Sequence, residues 1–83
     1  MLSERVLYRK YAGYSYILNM NTSKSYVFDG ISNDIILYIA NEEKTDIDSI
    51  MFYLREHQAI PDLVSFKDDI ENFLTFLKSE GIF

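Results

Sequence analysis

The sequence predicts an α+β domain, in which a three-stranded antiparallel sheet is followed by three helices. Residues 14–20 have the two-residue period of a strand, in which Tyr14, Tyr16, Leu18 and Met20 alternate with Ser15, Ile17 and Asn19. Residues 66–77 repeat apolar side chains with helical spacing. All strand-like segments precede all helical ones, which is typical of α+β domains. With 83 residues, of which 48% are hydrophobic, the chain predicts one domain over residues 1–83.

Three strands are predicted in the first third of the chain, over residues 6–11, 14–20 and 24–28. Residues 12–13 and 21–23 between them are small or polar and favour turns. The third strand is rich in β-branched and aromatic residues. Alternation predicts that Tyr26 and Phe28 face one side of the sheet and that Ser25 and Val27 face the other.

Three helices are predicted after Asp29-Gly30. The first runs from residue 33 to about residue 40, with Ser32 as its N-cap, and its apolar residues on nearly every side predict a central position in the core. The second begins after Thr45 as N-cap and ends near His57, before Pro61.

The third predicted helix has the clearest pattern. Ser65 is its expected N-cap, Asp68, Asp69 and Glu71 are expected near the positive end of its dipole, and Gly81 ends it. The two residues after Gly81 are expected to fold back onto the core. Together the three helices resemble a winged helix-turn-helix arrangement. The buried stripe of the third helix is predicted to consist of Phe66, Ile70, Phe73, Leu74 and Leu77.

Composition excludes several classes of protein. There is no cysteine, which excludes disulfides, thiolate metal sites and cysteine nucleophiles. No segment has the roughly 18 apolar residues of a membrane span, and the N-terminus lacks the pattern of a signal peptide. We therefore expect a cytoplasmic protein without a membrane partner.

Residues that could perform catalysis are few and isolated. His57 is the only histidine, and it has no set of partner residues. The acidic residues are expected at the starts of helices, where they favour capping over metal binding. Only three glycines occur, without the spacing of a phosphate-binding loop. The sequence therefore predicts a protein that is not an enzyme and that has no cofactor and no metal.

The distribution of charge argues against nucleic acid as a partner. Residues 1–28 contain four basic residues and one acidic residue, for a charge of +3, and residues 29–83 contain four basic and twelve acidic residues, for −8. A recognition helix that carries Asp68, Asp69 and Glu71 on its exposed face would repel phosphate groups. A winged-helix DNA-binding regulator is thus an alternative that the sequence disfavours.

A surface for binding is the remaining possibility. The third strand is expected at the edge of the sheet, where unpaired backbone groups could capture an extended peptide as an additional strand. Phe76 lies beside the buried stripe of the third helix and is expected either to line a groove or to widen that stripe. The second alternative is a small structural or dimerisation subunit, because exposed edges also pair with each other.

Three segments resemble the PqqD-like family of precursor-peptide recognition elements. They are residues 16–32, the helix start at residues 45–50, and the closing residues 70–82, in which a helix rich in Leu and Phe is followed by Gly and an aliphatic residue. The resemblance covers the chain from about Arg5 to Phe83. Members of this family bind the leader segment of ribosomally made, post-translationally modified peptides, alone or fused to a modifying enzyme, often a radical SAM enzyme.

The resemblance implies a non-catalytic module that captures a leader peptide and presents it to a modifying enzyme. It also implies a groove between the third strand and the third helix. The implied peptide-binding residues are Lys24, Ser25, Tyr26, Val27, Phe28, Asp69, Phe73, Phe76 and Leu77.

Overall fold

The computed structural model describes residues 2–58 and 63–83, and it confirms the α+β class with three strands followed by three helices. The side chains of His57 and Ser65, and the whole of Pro61, for which the sequence made predictions, lie outside this description. No helix among the described residues is long and apolar enough to cross a membrane. The elements are β1 (Val6–Tyr11), β2 (Tyr14–Asn19), β3 (Lys24–Asp29), α1 (Gly30–Glu42), α2 (Ile47–Gln58) and α3 (Leu63–Ser79).

The sheet is a simple antiparallel meander in the order β1-β2-β3. A two-residue turn at Ala12-Gly13 joins the first hairpin, in which Tyr11 lies opposite Tyr14. In the second hairpin Ile17 lies opposite Tyr26, so that Tyr8, Ile17 and Tyr26 form one row across the sheet. Each such row lies on one side of the sheet, since side chains directly opposite each other share a face.

The helices cover one side of the sheet. Ser15, Ile17 and Asn19 on β2 and Phe28 on β3 are buried on this side. Tyr26 shares this face with Phe28, as the alternation of β3 predicts, whereas the buried set of β2 includes two polar side chains. The other side is called the outer face. Its residues are Leu7, Arg9, Tyr11, Tyr14, Tyr16, Leu18, Ser25, Val27 and Asp29.

Helix α1 supplies much of the core through Ile35, Ile36 and Ile39, which are all buried, in agreement with its predicted central position. Its N-cap is Asp29 and not Ser32, because the helix starts directly after β3. Ser32 was therefore a wrong prediction for the cap, and the helix is longer than predicted at both ends. A buried polar pair joins α1 to β2, where the Ser15 hydroxyl donates to Asn33 Oδ1.

Two further helix starts also differ from the predictions. In α2 the Ser49 N–H donates to Asp46 Oδ2 at 2.9 Å, so Asp46 and not Thr45 caps the helix. Hydrogen bonds from the Ser49 hydroxyl and from the Ser49 N–H lower the pKa of the Asp46 carboxyl, and the bond from the hydroxyl has the larger effect. Helix α3 starts at Leu63, two residues before the expected cap Ser65. Its first turn contains no acidic residue, so the expected placement of Asp68, Asp69 and Glu71 near the helix start was wrong.

The end of α3 agrees with the predicted stop at Gly81. Gly81 has φ +72°, its N–H donates to the Lys78 carbonyl at 3.1 Å, and the Ile82 N–H donates to the Leu77 carbonyl at 2.9 Å. These two bonds form a Schellman motif, in which glycine relieves the strain of a left-handed residue. Ile82 is buried and Phe83 packs against the core, as expected, while the Ser3 N–H donates to the Ile82 carbonyl.

Replacing Gly81 with Ala is expected to destabilise the fold more than replacing Gly13 with Ala. Both glycines have positive φ, so each alanine costs about 1–2 kcal/mol of backbone strain. Only at Gly81 would the new Cβ approach a neighbour, the Asn19 Nδ2 at 3.1 Å, while the space at Gly13 is open. Urea denaturation should show that Gly81→Ala lowers the free energy of unfolding by roughly 1 kcal/mol more than Gly13→Ala does. Equal losses would show that Asn19 moves aside freely.

Candidate functional site

The free edge of β3 is the most accessible row of backbone hydrogen-bonding groups beside the helices. The Met20 N–H donates to the Arg5 carbonyl at 2.9 Å, next to the start of β1. This bond shows which residues of β2 direct their backbone groups toward β1. Even-numbered residues of β2 bond to β1, and odd-numbered ones bond to β3. In β3 the residues opposite Ile17 and Ser15 are Tyr26 and Phe28, so the backbone groups of Ser25 and Val27 point away from the sheet.

Aromatic side chains separate α3 from this edge. Among the described residues, no Cα of α3 lies within 8 Å of a Cα of β3. The gap is filled by two edge-to-face contacts, between Tyr26 and Phe76 with ring centroids 5.9 Å apart and between Phe28 and Phe73 at 5.5 Å. The strand edge therefore lies above an aromatic floor and is not covered by the helix.

Phe76 is 39% exposed, although its ring contacts Tyr26. The sequence left open whether Phe76 lines a groove or widens the buried stripe of the third helix. The exposure of its side chain shows that it does not belong to the buried stripe. Phe73 lies one helical turn earlier and is half-buried. Side chains three residues apart lie on neighbouring parts of one helix face. The two phenylalanines therefore form a continuous apolar surface along the side of α3 that faces β3.

One end of the groove is closed by polar contacts with Glu80. The Tyr26 hydroxyl donates to Glu80 Oε1 at 2.7 Å, and Lys24 Nζ lies 3.7 Å from the same oxygen. Asn19 Nδ2 donates to the Glu80 backbone carbonyl at 2.7 Å. The hydrogen bond to Glu80 raises the pKa of the Tyr26 phenol, with smaller contributions from burial and from the charge of Glu80.

At the other end, a cleft of about 330 Å³ opens between α1 and α3. It is mostly apolar, with the Asp69 carboxylate and the Ser32 hydroxyl as its polar side-chain groups. Phe73 lines this cleft and also contacts Phe28, which connects the cleft to the aromatic floor beneath β3. The lining residues are Ile31, Ser32, Ile35, Phe66, Asp69, Ile70 and Phe73.

The structure brings most of the predicted site residues together. Lys24, Tyr26, Phe28, Phe73 and Phe76 lie along one groove, as the contacts above describe, and Asp69 lines the cleft at its end. Ser25 and Val27 contribute backbone groups to the edge, while their side chains lie on the outer face. Leu77 is completely buried, so it supports the groove from the core and offers no surface to a ligand.

Several residues of the groove were not found from the sequence. Ile31 and Ile35 of α1 line the cleft, and their i, i+4 spacing was a signal that they share a helix face. Nothing in the sequence indicated which face would meet α3. Glu80 was also missed, because it contacts Tyr26 and Lys24 across more than fifty positions of the chain.

Among residues 2–58 and 63–83, no group of three His, Cys, Asp or Glu side chains could hold a metal ion. Asp68, Asp69 and Glu71 are exposed on α3, where their charge opposes contact with phosphate. An edge of backbone donors and acceptors above an apolar floor is suited to binding an extended peptide.

Comparison with models of protein families, with curated proteins and with solved structures found no match to this chain.

Replacing Glu80 with Gln is expected to lower the pKa of Tyr26 toward its ordinary value of 10.0. Glutamine can still accept the hydrogen bond but has no negative charge, so it does not repel the ionised phenolate of Tyr26 as Glu80 does. The pKa is measured by NMR of isotope-labelled tyrosine rings. Tyr53 is the control, because burial, Asp34 and Glu42 raise its pKa and none of these changes.

The raised pKa of Tyr26 also predicts how the stability of the protein depends on pH. Because the pKa of Tyr26 is higher in the folded protein, folding favours the neutral phenol. This contribution is complete below about pH 10 and is lost as the pH rises through the folded-state pKa. In the Glu80→Gln variant the stability should fall less steeply over that range. An unchanged slope would contradict the role of Glu80.

Proposed function

We propose that this protein is a non-catalytic peptide-binding module that captures the leader segment of a ribosomally made precursor peptide. The leader adds to β3 as a fourth strand and is then presented to a peptide-modifying enzyme. The observation that carries the proposal is the free edge of β3 beside an aromatic floor and an apolar cleft. The resemblance of the sequence to the PqqD-like family supports the same assignment.

The backbone of β3 supplies the affinity. Ser25 and Val27 each offer an N–H donor and a carbonyl acceptor to an incoming strand, because their backbone groups point away from β2. Strand addition satisfies these groups irrespective of the side chains of the peptide. Affinity from the backbone alone is unselective, so selection among peptides depends on the surfaces beneath the edge.

Those surfaces select alternate side chains of the leader. In a strand every second side chain points to the same face, so every second leader side chain points toward α3. These side chains meet Phe76 and Phe73, and one of them reaches the cleft lined by Ile31, Ile35 and Ile70. We infer a leader with apolar side chains at alternate positions, one of which enters the cleft.

The charge of the groove restricts the leader further. Asp69 lines the cleft and the exposed Asp68 lies beside it, so this edge of α3 is negative, while the helical spacing places Glu71 on the far side of α3. Like charges across an interface suppress unsuitable partners. A leader segment that is neutral or basic beside α3 is therefore favoured over an acidic one.

The module contributes to the modification reaction by holding the precursor peptide near an enzyme. A leader bound by one segment keeps the remaining peptide at a high effective concentration for a modifying enzyme that is bound or fused to the module. The resemblance favours a radical SAM enzyme in this position. The module itself supplies no cofactor and no reacting group in this scheme.

An NMR titration tests the proposal. The probe is a synthetic leader from a short reading frame encoded beside this gene, added to the isotope-labelled protein. Amide shifts are expected in β3 and along α3 from Phe66 to Phe76. Amide chemical-shift changes that are confined to the outer face or to α2, or no such changes at millimolar peptide, would contradict strand addition at β3.

Replacing Val27 with Pro is expected to abolish leader binding, since proline removes one outward N–H at the centre of the edge and obstructs strand pairing. Lys10→Pro is the matched control. Lys10 lies opposite Ser15, so its N–H points away from β2 at the other edge of the sheet. Isothermal titration should show binding only for the control, provided circular dichroism shows both variants folded. Equal affinity of the two variants would exclude addition at β3.

Replacing Phe76 with Ala is expected to weaken leader binding by roughly tenfold or more, as for an aromatic residue at the centre of an interface. The melting temperature should change little, because the Phe76 side chain is 39% exposed. Phe52→Ala is the control, since Phe52 is 61% exposed on α2, away from the groove. A large loss of stability with unchanged affinity would assign Phe76 to the core.

A further inference from the structure

The outer face of the sheet is a second surface, and no element within residues 2–58 and 63–83 covers it. Leu7, Tyr11, Tyr14 and Val27 are 36%, 48%, 39% and 65% exposed on it, and the rings of Tyr11 and Tyr14 stack with centroids 4.9 Å apart. Tyr16 and Leu18 of β2 lie between them on the same face, so the apolar positions adjoin each other across the three strands. Contiguous apolar patches of this kind mark interaction sites.

Charge distinguishes this face from the rest of the molecule. The protein has a net charge of −5, and residues 29–83, of which Asp29 alone belongs to the sheet, account for −8. The outer face contains one basic residue, Arg9, and one acidic residue, Asp29. Neither forms an ion pair within the described part of the chain. Two copies of this acidic protein therefore meet with the least repulsion when they meet through this face.

The size of the face matches a weak dimer. Three strands of six residues, with a rise of about 3.3 Å per residue and a spacing of about 4.8 Å, cover about 20 by 15 Å. Two such faces cover about 600 Å² in projection, and the side chains that stand up from the pleated strands raise the buried accessible area toward the roughly 1,000 Å² at which specific interfaces begin. An interface of this size is expected to be weak, so the dimer should form only at high protein concentration.

The geometry points to a two-fold dimer of this chain in which the outer faces of two sheets pack against each other. The two-fold axis runs parallel to the strands, so that β1 of one copy lies over β3 of the other. Arg9 then faces Val27 of the second copy and reaches Asp29 two residues further along the same strand. The alternative axis, perpendicular to the strands, would place Arg9 over Arg9 and is disfavoured by repulsion.

This dimer is independent of the proposed peptide binding. The free edge of β3 points sideways in the plane of the sheet, and the cleft between α1 and α3 lies on the opposite side. Both remain open when the outer faces are packed together. The acidic helices lie at the two far ends of the dimer, where their repulsion is smallest.

Sedimentation equilibrium from micromolar to millimolar protein tests the dimer. The unmodified chain should pass from monomer to dimer, and Val27→Lys should raise the dissociation constant by roughly tenfold or more, because it buries a charge in each half of the interface. Phe52→Lys is the matched control, with an equally exposed apolar residue replaced outside the face, and it should leave the equilibrium unchanged. A monomer at all concentrations, or equal effects of the two variants, would overturn the proposal.

Four further variants separate face-to-face packing from other arrangements. Val27→Pro keeps an apolar side chain on the outer face but removes an edge donor, so the dimer should persist; its loss would indicate pairing of β3 edges instead. Arg9→Glu and Asp29→Arg should each weaken association, and the double variant should restore it. Asp29 makes no side-chain capping bond, so the exchange removes no hydrogen bond of α1, and circular dichroism checks that a positive charge at this helix N-terminus leaves the fold intact. Failure of the double variant to associate would overturn the assigned axis.

Discussion

The separation between β3 and α3 is the constraint on which the candidate site depends. A three-stranded sheet leaves β3 with half of its backbone groups unpaired, and a helix packed directly over that edge would exclude any additional strand. Tyr26 and Phe28 prevent this, because their rings meet Phe76 and Phe73 edge-on and hold the helix away. The same four aromatic residues set this separation and form the floor of the groove.

The polar contacts around Glu80 hold α3 in the orientation that this separation requires. Its side chain accepts from Tyr26, its backbone carbonyl accepts from Asn19, and the Schellman motif at Gly81 follows directly after it. These bonds connect β2 and β3 to the end of the helix. The opposite end of α3 is separated from α1 by the cleft. The groove is thus closed by hydrogen bonds at one end and open to an apolar side chain at the other.

The two sides of the sheet are suited to different partners. The covered side and its edge combine backbone donors and acceptors with aromatic side chains, which suits an extended peptide. The outer face is apolar and carries one charge of each sign, which suits a second copy of the same surface. Both surfaces are available at once, because strand addition proceeds in the plane of the sheet and face packing proceeds perpendicular to it. A dimer would hold two leader grooves on opposite sides.

Periodicity and glycine chemistry act over a few neighbouring residues, so the number, type and order of the elements, the shared face of Tyr26 and Phe28, and the stop at Gly81 could all be predicted from the sequence. The tertiary structure decided the rest. Helix α1 begins at Gly30 since β3 leads directly into it, and Asp46 caps α2 although Thr45 is as good a capping residue. The burial of Leu77, the cleft and the contacts of Glu80 join residues far apart in the chain, and no local pattern specifies which distant helix face or strand will meet them.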